Sequence, residues 1–418
     1  GAGACGEAAP PRAPTAEVTR PPTAPPSEGP FVPARYPEAG DAPCGDEGYA
    51  GTIRSISATD RNTVVFELCA PDPAFRAKIA SPVLAINDSA WLEARIDPSL
   101  EGEQAIVSEV NGTGPFRLDG WIRGEELTLA RNDAYWGEAA IPSLVVVAWR
   151  ADAAQRLIEL RTGVVDAIDG VPPRAFETVR SDPSLQLKER EGLAIAYLGI
   201  DNRIAPFDDE RVRRAIAMGL DRARVVDERY PDGASVASHF APCTIPNGCA
   251  GDPWYEHDLA AARALPPAAN VAEGLTVRLA WSTAPDPALP DPAGIARGIA
   301  ERLREDLGIE TELVPLEPAA YADATTQGEL GQLFLGTWSA AYPDLTAYLD
   351  PHFAAGASPR FGTTWNDLTA AIADGAAGTD DAARAPAYAA ANDAIRTHVP
   401  AIPLARAGSA VALRSDVV

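Results

Sequence analysis

From about residue 275 the chain alternates strand and helix, and this rhythm limits its possible folds more than any other feature. Thr276-Val277-Arg278-Leu279-Ala280-Trp281 has the composition of a strand, and Ile295, Ile299, Leu303 and Leu307 recur every fourth residue as one helix face. Glu312-Leu313-Val314 and Leu333-Phe334-Leu335 are strands again. Parallel neighbours need a long crossover between them, and a helix is the usual one. The pattern therefore predicts βαβ units and a mainly parallel sheet. A last helix spans about Asp381 to His398, interrupted or started by Pro386, and leads into Val399-Pro400-Ala401-Ile402-Pro403-Leu404. Those prolines deny the segment a central place in a sheet and suit a strand crossing between lobes.

The earlier half is less regular. Thr63-Val64-Val65-Phe66-Glu67-Leu68 follows the turn residues Asp60-Arg61-Asn62 as a strand, and Leu127-Thr128-Leu129 and Ser143 to Val147 are further strands. Asn111 to Phe116 is a turn cluster in which Gly112 and Gly114 permit backbone angles closed to other residues. It lacks the Lys-Ser/Thr ending and the following helix of a phosphate loop. Ala153 to Thr162 reads as a short amphipathic helix with Leu157, Ile158 and Leu160 on its apolar side. Pro206 to Arg222 encodes two consecutive helices. Asp208 is placed to cap one whose apolar stripe is Val212, Ala215, Ile216 and Leu220, and Asp221 to cap one carrying Val225 and Val226; Arg211, Arg213 and Arg214 fall on the wet face.

At 418 residues the chain exceeds what one ordinary core accommodates, so two lobes are expected. Residues 6 to about 40 hold ten prolines, from Pro10 to Pro37, among small and charged residues. Such a stretch buries too little apolar surface to fold and favours extended conformations, which suits a semi-rigid tether. The expected division is a lipid anchor and tether over 1–40, lobe I over 41–250 plus 405–418, and lobe II over 251–404.

The formal net charge of −24 argues against nucleic acid and anionic lipid surfaces as partners, since both would be repelled. No run of about 18 apolar residues reads as a membrane span. There is no GxSxG elbow, no Walker lysine and no GxGxxG opening a helix after a strand, so no cofactor is expected. Acid pairs such as Asp208-Asp209 are ordinary solvated surface and caps in so acidic a chain.

The five cysteines form no CxxC, and an exported protein with disulfides accounts for them best. The expected pairs are Cys44 with Cys69 and Cys243 with Cys249, although four cysteines admit three connectivities. His239, Cys243, Cys249 and His257 offer a zinc-ligand set as the alternative. The four histidines form neither HxH nor HExxH, so no metal site is expected, and His398 reads as structural. Ala2-Gly3-Ala4-Cys5 resembles the end of a bacterial lipobox, which implies lipidation of Cys5; the alternative is a spare thiol in an unfolded tail.

Several segments resemble, in order, those of the family 5 extracytoplasmic solute-binding proteins, the peptide and nickel type receptors of ABC importers. They are Asp60 to Leu68, Asn111 to Phe116, Leu129 to Gly137, Leu160 to Asp166, Pro206 to Arg222 and Trp254 to Leu265. The resemblance covers the chain from about Tyr49 onward. It implies an α/β, two-lobed periplasmic-binding-protein-like fold of type II with an interlobe cleft, and a shortened region before Tyr49. It also implies an extracytoplasmic lipoprotein, a monomer, that passes a small molecule or peptide to ABC permease subunits without chemical change. The alternative from another class is an exported hydrolase acting on an oligomeric substrate through two cleft carboxylates.

Trp338-Ser339-Ala340-Ala341-Tyr342-Pro343-Asp344 resembles the family's cleft motif, in which an aspartate pairs with a peptide's amino group. Ala341 holds that position here, which puts amine recognition through this residue in doubt. Trp338, at the carboxyl end of a strand, suits stacking on a ligand, with core packing as the other reading. Tyr342 and Asp344 follow in the same loop, and Asp344 can supply an acid in place of Ala341 or serve its turn. Asp201, Asn202 and Arg203 resemble a segment facing the family's cleft, with a turn role as the alternative. His352 and Arg360 fall in a loop that reads as solvated, or as the rim of the cleft.

Overall fold

The computed structural model describes residues 30–417 apart from 47, 50, 96–108, 191, 232 and 266–274. Cys5 and most of the expected tether lie outside the described residues. The chain divides into two units, one ending at Pro71 and one beginning at Asp72.

In the first unit, β1 (Ala34–Tyr36), β2 (Ile53–Asp60) and β3 (Thr63–Leu68) form an antiparallel sheet in that order. Asp60 Oδ1 accepts from the Asn62 amide at 2.9 Å, the turn chemistry expected of Asp60-Arg61-Asn62. Cys44 and Cys69 are joined, as expected. The expected tether ran to about residue 40, but Ala34–Tyr36 pairs with Ile56, Ser57 and Ala58 across the free edge of β2. An open strand edge recruits an adjacent segment despite flanking prolines.

In the second unit, after the short helices Phe75–Ile79 and Ser89–Glu93, come β4 (Phe116–Ile122), β5 (Glu126–Arg131) and β6 (Leu144–Ala148), an antiparallel sheet. The helix Ala153–Arg161 follows, starting at Asp152, whose side chain accepts from the Gln155 amide. β7 (Ala167–Ile168) and β8 (Leu185–Arg190) flank the last strand, β15 (Ser409–Arg414), in a three-stranded sheet with its own apolar core around Leu160, Phe176 and Val179.

The main sheet comprises β9 (Ala194–Ile200), β10 (Ser235–Val236), β11 (Thr276–Ser282), β12 (Glu310–Leu316), β13 (Leu333–Ser339) and β14 (Ala401–Arg406). Their order is β10-β14-β9-β13-β11-β12. β11 is parallel to both its neighbours, as the strand and helix alternation predicts. The sheet as a whole is mixed instead of mainly parallel, because β9 enters between β13 and β14 and runs antiparallel to each. β14 is therefore an interior strand, contrary to the expectation from its prolines. Its register shifts between Pro403 and Ala405, and a bulge of this kind admits a residue without an amide hydrogen. Strands from both sides of residue 250 share this sheet and one core, which runs across the expected lobe boundary.

The helices follow their periodicity. Pro292–Leu307 buries Ile295, Ile299 and Leu303, starts at the Asp291 cap with Pro292 in its first turn, and ends at Gly308 with φ 69°. Each such buried aliphatic side chain contributes roughly 1.5–3 kcal/mol. Asp381–His398 is helical throughout, with Pro386 inside it. Glu210–Gly219 buries Val212, Ala215 and Ile216, but its cap is Asp209 and not Asp208; the Arg211 side chain and amide hold the Asp209 carboxyl down to about 2. Asp221 caps Arg222–Arg229 as expected, and Val225 and Val226 are buried.

Arg213 departs from the wet face expected for it. It is buried, donating from Nε to His398 O at 2.7 Å and from Nη1 to Phe207 O at 2.6 Å. Among the described residues no helix is long and apolar enough to cross a membrane.

Candidate functional site

The carboxyl ends of the parallel strands β11 and β13 border a cavity of about 240 Å³, lined among others by Tyr197, Ser282, Asp286, Tyr321, Thr337 and Arg360. This is where α/β sheets place ligands, because side chains following adjacent parallel strands converge there. β9 supplies Tyr197 from the middle of the sheet, the helix Pro318–Gln327 supplies Tyr321, and the short turn Pro359–Phe361 supplies Arg360. Tyr197 packs directly over Gly336, where a Cβ would run into its ring. Glycine is therefore required at that point of β13.

The polar atoms of this wall are arranged with few internal partners. Tyr321 Oη donates to Leu335 O at 2.6 Å, and Arg360 Nη1 donates to the Tyr197 hydroxyl at 3.3 Å. Burial raises the phenol pKa of both tyrosines, so each stays a neutral hydroxyl. Asp286 Oδ1 accepts from the Ala288 amide at 2.8 Å. Behind Tyr197 sits His352, whose Nδ1 donates to Tyr348 O at 2.8 Å. Burial, with Arg360 nearby, pushes its imidazole down to about 3. His352 was expected in a solvated or rim loop. It is instead 1% exposed within the helix Thr346–Phe353, meeting the rings of Tyr197 and Trp338 edge-on.

The six residues singled out in the sequence do not form one site. β9 runs antiparallel to β13, with Ile200 opposite Leu333 and Ile195 opposite Trp338. Asp201, Asn202 and Arg203 therefore leave the sheet at the end opposite Trp338, roughly 20 Å away at a strand rise near 3.3 Å per residue.

At that end Asp201 is buried and takes Arg203 Nε at 2.9 Å and Nη2 at 2.7 Å, while Arg203 also donates to Gly328 O. Asn202 Nδ2 donates to Thr363 O at 2.7 Å, and its Oδ1 accepts from the Thr363 amide at 2.9 Å. Both side chains clamp the chain where a ligand contact was expected.

At the other end Trp338 is half-buried and donates from Nε1 to Ala347 O at 2.7 Å. Tyr342 is half-buried, with its hydroxyl 3.3 Å from Thr346 Oγ1. Asp344 is buried, takes both terminal nitrogens of Arg384 at 2.7 Å, and accepts from the Thr346 amide and hydroxyl. Burial alone would raise its carboxyl, but these donors outweigh burial and hold it below the usual range. Asp344 is thus occupied internally and does not replace the acid missing at Ala341.

Arg360 was named in the sequence only as a rim candidate, and Tyr197, Ser282, Asp286 and Tyr321 were missed. Ser282 was within reach, since it ends a strand of the parallel set. Tyr197 carries no local signal, because its strand is apolar on both faces.

Cys243 and Cys249 are joined, as expected. Their sulfurs and a ring nitrogen of His239 lie within 4.8 Å of one another, whereas His257 faces Asp221 at 3.8 Å. The four-ligand zinc alternative is therefore not assembled among the described residues.

A family model described as bacterial extracellular solute-binding proteins, family 5 middle, matches residues 16–359. The peptide transport periplasmic protein SapA of Salmonella typhimurium is 25% identical over 390 residues, covering 88% of this chain and 67% of that protein. Di/tripeptide-binding protein 1 of Pseudomonas aeruginosa is 26% identical over 373 residues, covering 86% of this chain and 67% of its own length. The chain thus spans about two thirds of these relatives. The structure of HbpA2 from Haemophilus parasuis superposes with a TM-score of 0.75 at 24% identity, covering 87% of this chain and 72% of that one. At that identity the likeness shows the fold, a mixed α/β one.

Proposed function

We propose, since the chain belongs to family 5 of the bacterial extracellular solute-binding proteins, that it is the substrate-binding component of an ABC importer. It captures a small solute outside the cytoplasm and hands it unaltered to the permease. The relatives named for peptide transport and for di- and tripeptides support a short peptide or a related polar metabolite as that solute.

The observation that carries this reading is the cavity at the ends of β11 and β13, walled by hydroxyls, one guanidinium and the Asp286 carboxylate. Its groups hydrogen-bond and orient a solute. A lobe closing over the bound solute makes further contacts, and those contacts favour the closed state. Trp338 and Tyr342 act here as support for the cavity wall, and lipidation at Cys5 would tether a monomeric receptor to the membrane. The hydrolase reading needs two carboxylates free to meet a substrate, and Asp344 is committed to Arg384. The protein is accordingly read as a receptor and not as an enzyme.

Mass spectrometry of denatured, freshly purified protein tests the proposal by releasing whatever solute co-purifies. A ligand selective for the folded form then raises the melting temperature on re-addition, by the equivalent of about 2.7 kcal/mol at a hundredfold excess over Kd. Recovery of chemically altered solute after incubation would sink the receptor reading and favour the hydrolase.

A further inference from the structure

Arg360 places a guanidinium on the wall of the cavity. Among the described residues its Nε is buried with no hydrogen-bond partner, and its Nη1 makes a long hydrogen bond to the neutral Tyr197 hydroxyl. Among the described residues no carboxylate lies within 4.0 Å of it. Acidic residues outnumber lysine and arginine by 59 to 35 in this chain, so a partner acid was readily available to evolution and was not used here.

Two buried arginines are better satisfied. Arg384 holds a carboxylate, and Arg222 donates to three backbone carbonyls. A partly buried cation left unsatisfied costs free energy, and such sites persist where a ligand completes them.

The surroundings fix the guanidinium in place. Phe361 is buried in the core beside it, and Gly362 has φ 90°, so the turn bearing Arg360 is anchored on its carboxyl side. Asn202 donates its amide hydrogen to Phe361 O at 3.1 Å and grips Thr363 with its side chain. His352, behind the wall, stays neutral and adds no competing charge.

Resting on the receptor reading above, we infer that the solute carries a carboxylate and that Arg360 is the residue selecting it. The guanidinium offers a planar fork of donors that matches a carboxylate, and the cavity of about 240 Å³ accommodates a small acid and not a long chain. Asp286 lines the same cavity and disfavours a dianion such as a phosphate monoester, which points to a singly charged group.

The test compares acids with their amides. Alanyl-alanine and alanyl-alanine amide, and an aromatic acid with its carboxamide, are titrated into the full chain after removal of any co-purified solute, with inorganic phosphate as a further probe. The acid of a pair should bind about 10- to 150-fold more tightly, the range expected for a hydrogen bond to a charged group. Arg360→Gln should abolish that preference and Arg360→Lys keep part of it, while the unliganded melting temperature of Arg360→Gln stays at or above that of the parent.

Equal binding of acid and amide by the parent protein, or an undiminished preference in Arg360→Gln, overturns the inference and leaves the receptor reading standing. Phosphate binding more tightly than every acid overturns the carboxylate assignment. Failure of any solute to bind or co-purify overturns the receptor reading, and this inference with it.

Discussion

Arg384 holds Asp344 in a fork, Nη1 to Oδ2 and Nη2 to Oδ1, each at 2.7 Å, with both residues buried. The pair ties the loop after β13 to the long helix Asp381–His398. Removing one partner strands the other charge in a dry environment. Asp344→Asn should therefore cost about 3–5 kcal/mol in urea unfolding. Its affinity for a co-purifying solute should stay unchanged in the folded fraction. An Asp344→Asn protein with parental stability and no solute binding would return Asp344 to the site.

Half-buried Asp350 and buried His352 titrate with opposite consequences for stability. Burial raises the Asp350 carboxyl to about 6, above an unfolded value near 3.9. Its contribution is full below pH 4 and lost as pH rises through 6. Burial lowers His352 to about 3, below an unfolded value near 6.5. Its contribution is full above pH 6.5 and lost as pH falls toward 3. Asp350→Asn should accordingly stabilise the protein by about 2 kcal/mol at pH 8 and have no such effect at pH 4. His352→Gln should flatten the decline in melting temperature between pH 6.5 and 4. Melting curves across this range check both, and an unchanged acid slope in His352→Gln would contradict the burial of a neutral imidazole.

Trp338 has a structural share that the sequence left undecided. Its indole donates to Ala347 O and meets His352 edge-on with ring centroids 4.6 Å apart. Trp338→Ala should lower the stability of the unliganded protein by about 3 kcal/mol, toward the lower end for a buried aromatic because the ring is half-exposed. Trp338→Phe should recover most of that loss. A melting temperature unaffected by Trp338→Ala would mark the ring as free for ligand stacking.

Asn202 acts through the turn that carries Arg360. Asn202→Ala releases Thr363 and loosens the Pro359–Phe361 turn. The predicted result is a weaker preference for acids over their amides, with neutral solutes bound as before. Asn202→Asp, which keeps the acceptor for the Thr363 amide, should retain more of the preference than Asn202→Ala. A uniform loss of affinity for acids and amides alike would assign Asn202 to stability only.

Local order was written plainly in the chain. Helix faces such as Ile295, Ile299 and Leu303, the cap at Asp221, and strands such as Thr63–Leu68 were legible because each depends on residues a few positions apart. The two cysteine pairs matched expectation as well, and ordered motifs from Asp60 to Leu265 carried the family.

Tertiary structure decided the rest. Antiparallel pairing of β9 with β13 sent Asp201 and Asn202 to the end of the sheet away from Trp338, and no local pattern encodes the register of strands that far apart in sequence. The same long-range packing buried Arg213 and His352, gave Asp344 its partner 40 residues away, and placed β14 inside the sheet. Arg360 emerged as a cation without a neighbouring carboxylate, among the described residues, only once those residues had their places. A charge is recognised as uncompensated by what surrounds it in space, and sequence reports only what lies beside it along the chain.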